Sequence, residues 1–170
     1  MFDMIIKLSG SVVVICMCVL IGYCYTAKLK RRIEFLECFN HDIIMLKSRI
    51  SEREKLSMAF KYVSYFSSFE KLWITWTENL ETAGIRKAFE ISLSKYRDEL
   101  NLTKTDIKTM LMLTSGLGKT DIKSQKEHID YVFGMINMLC ENARSEYESN
   151  CKLYRSGSVL AGILLVIFLL

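Results

Sequence analysis

The feature that most constrains the fold of this chain is a helical periodicity that almost nothing interrupts. The 170 residues include no proline and only 8 glycines. Through the centre of the chain, apolar residues recur every three or four positions, a spacing that gathers them on one face of an α-helix. The sequence therefore predicts an all-α fold.

Local signals divide the central region into about six predicted helices. Three hydroxyl residues are followed three positions later by an acidic residue, in the pairs Ser51/Glu54, Ser67/Glu70 and Thr103/Asp106. This spacing is typical of the capping box, in which both side chains satisfy free backbone N–H groups. Gly84, Gly116 and Gly118 are predicted to interrupt helices. Short helices with short loops predict an antiparallel bundle.

The most regular stripe predicts one long amphipathic helix from Thr120 to Arg155. It leads directly into an uncharged apolar run at the C-terminus, with Ser156 to Ser158 as a candidate soft joint. Gly157 and Ala161 stand four positions apart there, as do Ser158 and Gly162. Such pairs favour close helix packing, although ordinary glycine usage explains them equally well.

Two uncharged apolar runs, 8–27 and 156–170, bracket the chain. At about 1.5 Å per residue the first reaches the roughly 30 Å of a bilayer core, and the second only about 22 Å. We therefore expect a short extracytoplasmic N-terminus over 1–7, a transmembrane helix over 8–27, a helical bundle over 28–155 and a short transmembrane helix over 156–170. An in-plane C-terminal segment is the alternative to the second span.

Basic residues flank the central region on both sides, namely Lys28, Lys30, Arg31, Arg32, Lys152 and Arg155. Because cytoplasmic flanks of membrane segments are enriched in lysine and arginine, this pattern predicts a cytoplasmic central region. The formal net charge of +4 comes largely from these flanks. What remains is close to neutral, so we expect no nucleic-acid partner.

The stretch from Gly116 to Thr120 is the strongest candidate for a chemical site, because it resembles the end of a phosphate-binding loop. The full pattern requires a glycine where this chain has Leu113, so a helix stop followed by a new helix start is favoured. His41 and His128, the only histidines, have no paired ligand motif, so neither a metal site nor a catalytic triad is predicted. Trp73 and Trp76 are interpreted as core anchors rather than a ligand cage.

The residues from Leu117 to Ile129 read LGKTDIKSQKEHI. This stretch resembles the signature of the stage III sporulation protein AB family of endospore-forming bacteria. The matching positions are Leu117, Gly118, Asp121, Ser124, Gln125, His128 and Ile129. The family often carries a Thr-Pro-Leu turn after its first soluble helix, whereas residues 50–56 here contain no proline.

The resemblance implies a helical bundle similar to the cytoplasmic domain of the type II secretion platform protein F. It implies a non-enzymatic structural subunit of a channel complex linking mother cell and forespore, located at the outer forespore membrane with the bundle in the mother-cell cytoplasm. Expected partners are the membrane and sister subunits, including a secretion-type ATPase, with no cofactor, metal or small-molecule substrate. A nucleotide-binding protein using 116–120 and a membrane-bound adaptor remain the alternatives.

Overall fold

The computed structural model of the chain describes residues 2–51, 56–118 and 121–169. They form five helices, α1 (Phe2–Ser51), α2 (Leu56–Phe66), α3 (Glu70–Tyr96), α4 (Lys104–Gly116) and α5 (Ile122–Leu169). No strand occurs among these described residues. The prediction of an all-α fold is confirmed.

The predicted break at Gly84 is confirmed inside α3. Gly84 has φ 77° and ψ 164°, so two helical pieces meet there without a separate loop. A residue with a side chain is strained at such a positive φ, and glycine is not. Trp76 Nε1 donates to the carbonyl oxygen of Ile85 at 3.0 Å, which fixes the start of the second piece. Counting the two pieces separately reconciles five helices with the six predicted.

The chain divides into two compact units. The second, Arg31–Asn142, has an aromatic core built by α1, α2 and α3. Trp73 and Trp76 are fully buried, and the Trp76 ring lies 3.9 Å from Phe89 and 4.2 Å from Phe60, centroid to centroid. Both tryptophans are therefore core anchors, as predicted.

The first unit joins Met1–Lys30 to Ala143–Leu170, the outer ends of α1 and α5. A Cβ at Gly22 would lie 2.8 Å from Ser158 Oγ, and one at Gly162 only 3.4 Å from Ile15 Cα. Gly157 faces open space and Ala161 is exposed. The close contact within this unit thus uses Ser158 and Gly162, the second predicted pair, whereas the role of Gly157 and Ala161 in packing against a neighbouring protein stays a prediction.

The predicted transmembrane helices over 8–27 and 156–170 are not supported. Within the part of the chain that the structure describes, no helix is long and apolar enough to cross a membrane. The fold prediction is therefore corrected to an all-helical fold in which these flanking spans are not supported.

Helix starts follow the predicted capping patterns only in part. At α4 the capping box is complete, with Thr103 Oγ1 accepting from Asp106 N at 3.1 Å and Asp106 Oδ2 accepting from Thr103 N at 2.9 Å. At α3 the residue before the helix is Phe69, which forms no side-chain cap, so the predicted Ser67/Glu70 box is wrong. The Ser51/Glu54 box lies outside the described residues.

Helix α5 continues without a break through Ser156 to Ser158. The candidate joint predicted there is therefore absent from the structure. Glycine in a helix costs about 1 kcal/mol relative to alanine, which one residue of a long helix easily tolerates.

Candidate functional site: the α4–α5 junction

The signature residues lie where α4 ends and α5 begins, and His128 links the two helices. His128 Nε2 lies 2.8 Å from the carbonyl oxygen of Met112 and 3.2 Å from Ser115 Oγ. Because a carbonyl oxygen only accepts, Nε2 must carry the ring proton and donate it to Met112. This bond ties the ring of His128 on α5 to the backbone near the end of α4.

Gly116 allows that link to form. A Cβ built at this position would overlap the His128 ring, whereas one built at Gly134, further along α5, would meet nothing within 4 Å. The residue is the last of α4 and has no positive φ. Its small size, rather than an unusual backbone conformation, therefore permits the contact with histidine.

Leu117 and Gly118 turn the chain between the two helices. Leu117 has an extended backbone with φ −78° and ψ 131° and is buried. Gly118 follows at φ +74°, and a Cβ there would lie 3.3 Å from Ile85 Cδ1. The turn thus packs against the second piece of α3, and Gly118 supplies the backbone conformation that it needs.

Asp121 caps the start of α5. Its carboxylate accepts from Ser124 Oγ at 2.5 Å, from Ser124 N at 3.3 Å and from Lys123 N at 3.2 Å. The hydrogen bonds from Ser124 hold the pKa of the Asp121 carboxyl below its usual value. Asp121 and Ser124 therefore form a local cap that favours an ionised carboxylate at the positive end of the helix.

The two remaining signature positions differ in exposure. Ile129 is buried in the core of the second unit. Gln125 is half-buried, and its backbone N–H bonds to the carbonyl of Asp121 at 3.0 Å, the first turn of α5. All seven signature residues therefore cluster in the turn and in the first turns of one helix. Lys119 and Thr120 lie outside the described residues.

The signature and the extent of the match identify the family. Residues 7–170 match the family model of stage III sporulation protein AB (spore_III_AB). The chain belongs to this family. Membership implies a role in stage III of sporulation. No curated protein and no solved structure gives a match.

The junction of this sporulation protein AB family member borders a surface groove of about 420 Å³. Its lining combines the turn at Leu117 with the break in α3, and includes Gly84, Arg86, Lys87 and Glu90. No group of three or more metal-binding side chains occurs among the described residues.

One predicted basic flank residue, Arg32, is buried in the second unit. Its Nε and a terminal nitrogen contact the two carboxylate oxygens of Asp106 at 2.8 and 3.0 Å. The Arg32 side chain is 9% exposed and that of Asp106 is fully buried. This two-point ion pair joins α1 to the start of α4, so the charge of Arg32 serves the bundle rather than a surface.

The other basic flank residues are exposed where their side chains are described. Arg31 pairs with Glu99 at 3.4 Å, and both side chains are more than half exposed. Lys28, Lys30 and Lys152 are exposed. The side chain of Arg155 lies outside the described residues.

A second buried carboxylate, Asp42, was missed by the sequence reasoning. Asp42 Oδ2 accepts from Ser67 Oγ at 2.6 Å and from Trp73 Nε1 at 2.7 Å, whereas the buried Oδ1 has no hydrogen-bond partner among the residues that the structure describes. Burial raises the pKa of Asp42 above its usual value, and the two hydrogen bonds partly oppose that rise.

A signal for Asp42 was nevertheless present in the sequence. The residue lies on the helix face that carries Phe35, Phe39 and Leu46, all of them buried. A charged residue in register with an apolar stripe predicts either a paired ion or a carboxyl of raised pKa. Its partners could not be predicted, because Ser67 and Trp73 are 25 and 31 residues away.

Proposed function

We propose that this chain is a non-enzymatic structural platform subunit of a secretion-like channel complex that links mother cell and forespore. Membership of the stage III sporulation protein AB family supports the setting. The helical second unit, which presents a rigid surface around an aromatic core, is suited to assembly with other proteins.

The observation that carries the proposal is the use of the signature in the α4–α5 junction. Gly116 and His128 hold the helices together, Gly118 turns the chain, and Asp121 caps α5. These residues build the fold, which supports a protein that acts by its shape.

For location, the proposal places the chain at the outer forespore membrane with the central region, 28–155, in the mother-cell cytoplasm. The first unit exposes many large apolar side chains, among them Met17, Leu20, Ile21, Leu160, Leu164 and Ile167. Contiguous apolar surface of this kind is usually covered by lipid or by another protein. Exposed lysines at 28, 30 and 152 add favourable contacts with anionic lipid headgroups.

The partners in the proposal are the sister subunits of the channel, including a secretion-type ATPase in the mother-cell cytoplasm. The test is purification of the tagged full chain from sporulating cells after cross-linking, followed by quantitative mass spectrometry. We expect enrichment of channel subunits over a tagged membrane protein of similar abundance. Recovery of folded chain without any channel subunit would overturn the proposal.

The same purified protein tests the nucleotide alternative. If the signature is structural, labelled ATP should show the same background level of binding to the full chain and to its Lys119→Ala variant. Saturable binding that the variant abolishes would instead favour a nucleotide-using protein and would count against the platform proposal.

A further inference from the structure

The groove beside the α4–α5 junction is open to solvent and is partly lined by apolar side chains. Its volume is about 420 Å³, and Ala83, Ile85 and Leu117 contribute to its lining. The groove lies at the break in α3, where Gly84 is exposed and a Cβ built on it would meet nothing within 4 Å. It is therefore a concave surface that a protruding apolar side chain of another molecule can enter.

Positive charge predominates in the lining of this groove. Arg86 and Lys87 line it and are exposed, whereas Glu90 is the one acidic residue among the described residues of the lining. Within the described ranges 2–51, 56–118 and 121–169, neither Arg86 nor Lys87 forms an ion pair. Both cations are therefore available to an acidic group of a partner.

The exposed side of α4, which reaches the groove through Thr114, is positive as well. Lys104 and Lys108 are exposed and stand four positions apart, so they lie on the same side of the helix. Neither forms an ion pair with any described residue. The only acidic residue in α4, Asp106, is fully buried and pairs with Arg32, so it does not offset these charges.

Shape and charge together indicate the chemistry of the partner. Opposite charges across an interface steer association and determine its specificity, so this basic surface fits an acidic partner. A bilayer surface or a nucleic-acid backbone can contact the basic side chains, but its phosphates do not use an apolar groove. A small acid is usually enclosed on most sides by its pocket, whereas this groove is open at Gly84. A protein segment with acidic side chains beside an apolar one uses both features.

We propose that the groove and the exposed side of α4 form the docking surface for an acidic segment of a partner protein, with an apolar side chain of that segment seated in the groove. The proposal rests on the platform function only in that the chain acts by binding other proteins. Recovery of channel subunits from cells tests that function, whereas the purified chain and a defined peptide test the surface alone.

Fluorescence anisotropy of a labelled peptide tests the proposal on the purified full chain. The probe carries one leucine flanked on both sides by glutamates. We expect saturable binding that weakens at high salt, and an affinity about tenfold lower for Arg86→Glu/Lys87→Glu. The matched control is Lys61→Glu/Lys71→Glu, which reverses exposed lysines on α2 and on the first piece of α3 and should leave the affinity within about twofold. No binding to the wild-type chain, or equal losses in the two double variants, would overturn the proposal.

A peptide of reversed charge separates a direct charge match from misfolding of the variant. With lysines in place of its glutamates, the peptide should bind Arg86→Glu/Lys87→Glu about tenfold more tightly than it binds the wild-type chain. A variant that gains affinity in this way is folded at the groove. If the reversed peptide binds both proteins equally, these two residues do not contact the partner and the proposal is wrong.

The apolar contact and the class of partner are tested with the same acidic probe. Replacing the leucine of the peptide by serine should weaken binding to the wild-type chain, and Ala83→Phe, which fills the groove, should remove the difference between the two peptides. Single-stranded DNA and vesicles of phosphatidylglycerol serve as competitors. We expect unlabelled acidic peptide to displace the probe at lower concentration than either competitor does. More effective displacement by DNA or by vesicles would overturn the proposal in favour of a phosphate-bearing partner.

Discussion

Two buried carboxylates stabilise the second unit in opposite ways. Asp106 uses both oxygens, pairing with Arg32 and accepting from Thr103 N at the start of α4. Asp42 accepts from two neutral donors through one oxygen, and its other oxygen has no hydrogen bond to any described residue. At Asp106 the Arg32 guanidinium supplies an opposite charge, whereas burial raises the pKa of Asp42 above its usual value. Burial alone therefore does not determine how a carboxylate contributes to the stability of the fold.

The largest effect on stability is expected at Asp106, where the change from aspartate to asparagine should cost far more than the same change at Asp42. Asp106→Asn should lower the free energy of unfolding by about 3–5 kcal/mol, since it removes the carboxylate charge that the buried Arg32 guanidinium contacts at two points. Urea unfolding of the full chain measures this loss. The matched control is Glu99→Gln at the exposed pair with Arg31, which should cost less than about 1 kcal/mol. Equal losses of unfolding free energy at the buried and the exposed ion pair would show that burial does not determine how much an ion pair stabilises this fold.

At Asp42 the corresponding change should be mild. Asp42→Asn keeps an acceptor for Ser67 and Trp73 and removes the cost of burying a charge, so we expect a change below about 1 kcal/mol at neutral pH. Asp42→Ala is the control, because it leaves Trp73 Nε1 without an acceptor and should cost about 1–3 kcal/mol. An asparagine variant as damaged as Asp106→Asn would contradict the distinction.

The pH dependence of stability sharpens the comparison further. The folded-state pKa of Asp42 is raised above 3.8, mainly by burial. The contribution of Asp42 to the free energy of unfolding is therefore fully present below pH 3.8 and is lost as pH rises through the raised pKa. Relative to wild type, Asp42→Asn should become more stable as pH increases over that window. Parallel unfolding curves across the acid range would show that Asp42 titrates normally.

The smallest effect is expected at Asp121, an exposed carboxylate whose pKa is lowered by Ser124. Its stabilising contribution is present above 3.8 and is lost as pH falls through the lowered value, the opposite direction to Asp42. Asp121→Ala should lower the melting temperature less than Asp106→Asn does. The difference in melting temperature between Asp121→Ala and wild type should disappear in acid. Ser124→Ala is the control and should give part of the same loss. A loss that persists at low pH would point to packing rather than capping.

What could be predicted from the sequence follows the range of the interactions. The helices, the break at Gly84 and the Thr103 box depend on residues a few positions apart, and all three were predicted correctly. The box at Ser67 was predicted wrongly, because its hydroxyl bonds to Asp42 instead. Arg32 was interpreted from the sequence as one of a basic cluster, because its ion-pair partner Asp106 lies 74 residues away along the chain.

The candidate site was located by sequence more accurately than it was explained. The motif from Leu117 to Ile129 marked the junction, and the glycine stop at Gly116 was predicted. The reason why position 116 requires a glycine was not predicted, because it depends on the ring of His128 on the next helix. The transmembrane helices predicted over 8–27 and 156–170 are not supported, since no helix among the described residues is long and apolar enough to cross a membrane.

The contact between Gly116 and His128 also has a consequence for sequence divergence. Any side chain at position 116 would occupy the space of the imidazole, so an alanine there requires a smaller residue at 128 or a displaced α5. Relatives should therefore change these two positions together or neither of them. Position 134, where an added methyl group meets nothing, is free to drift alone.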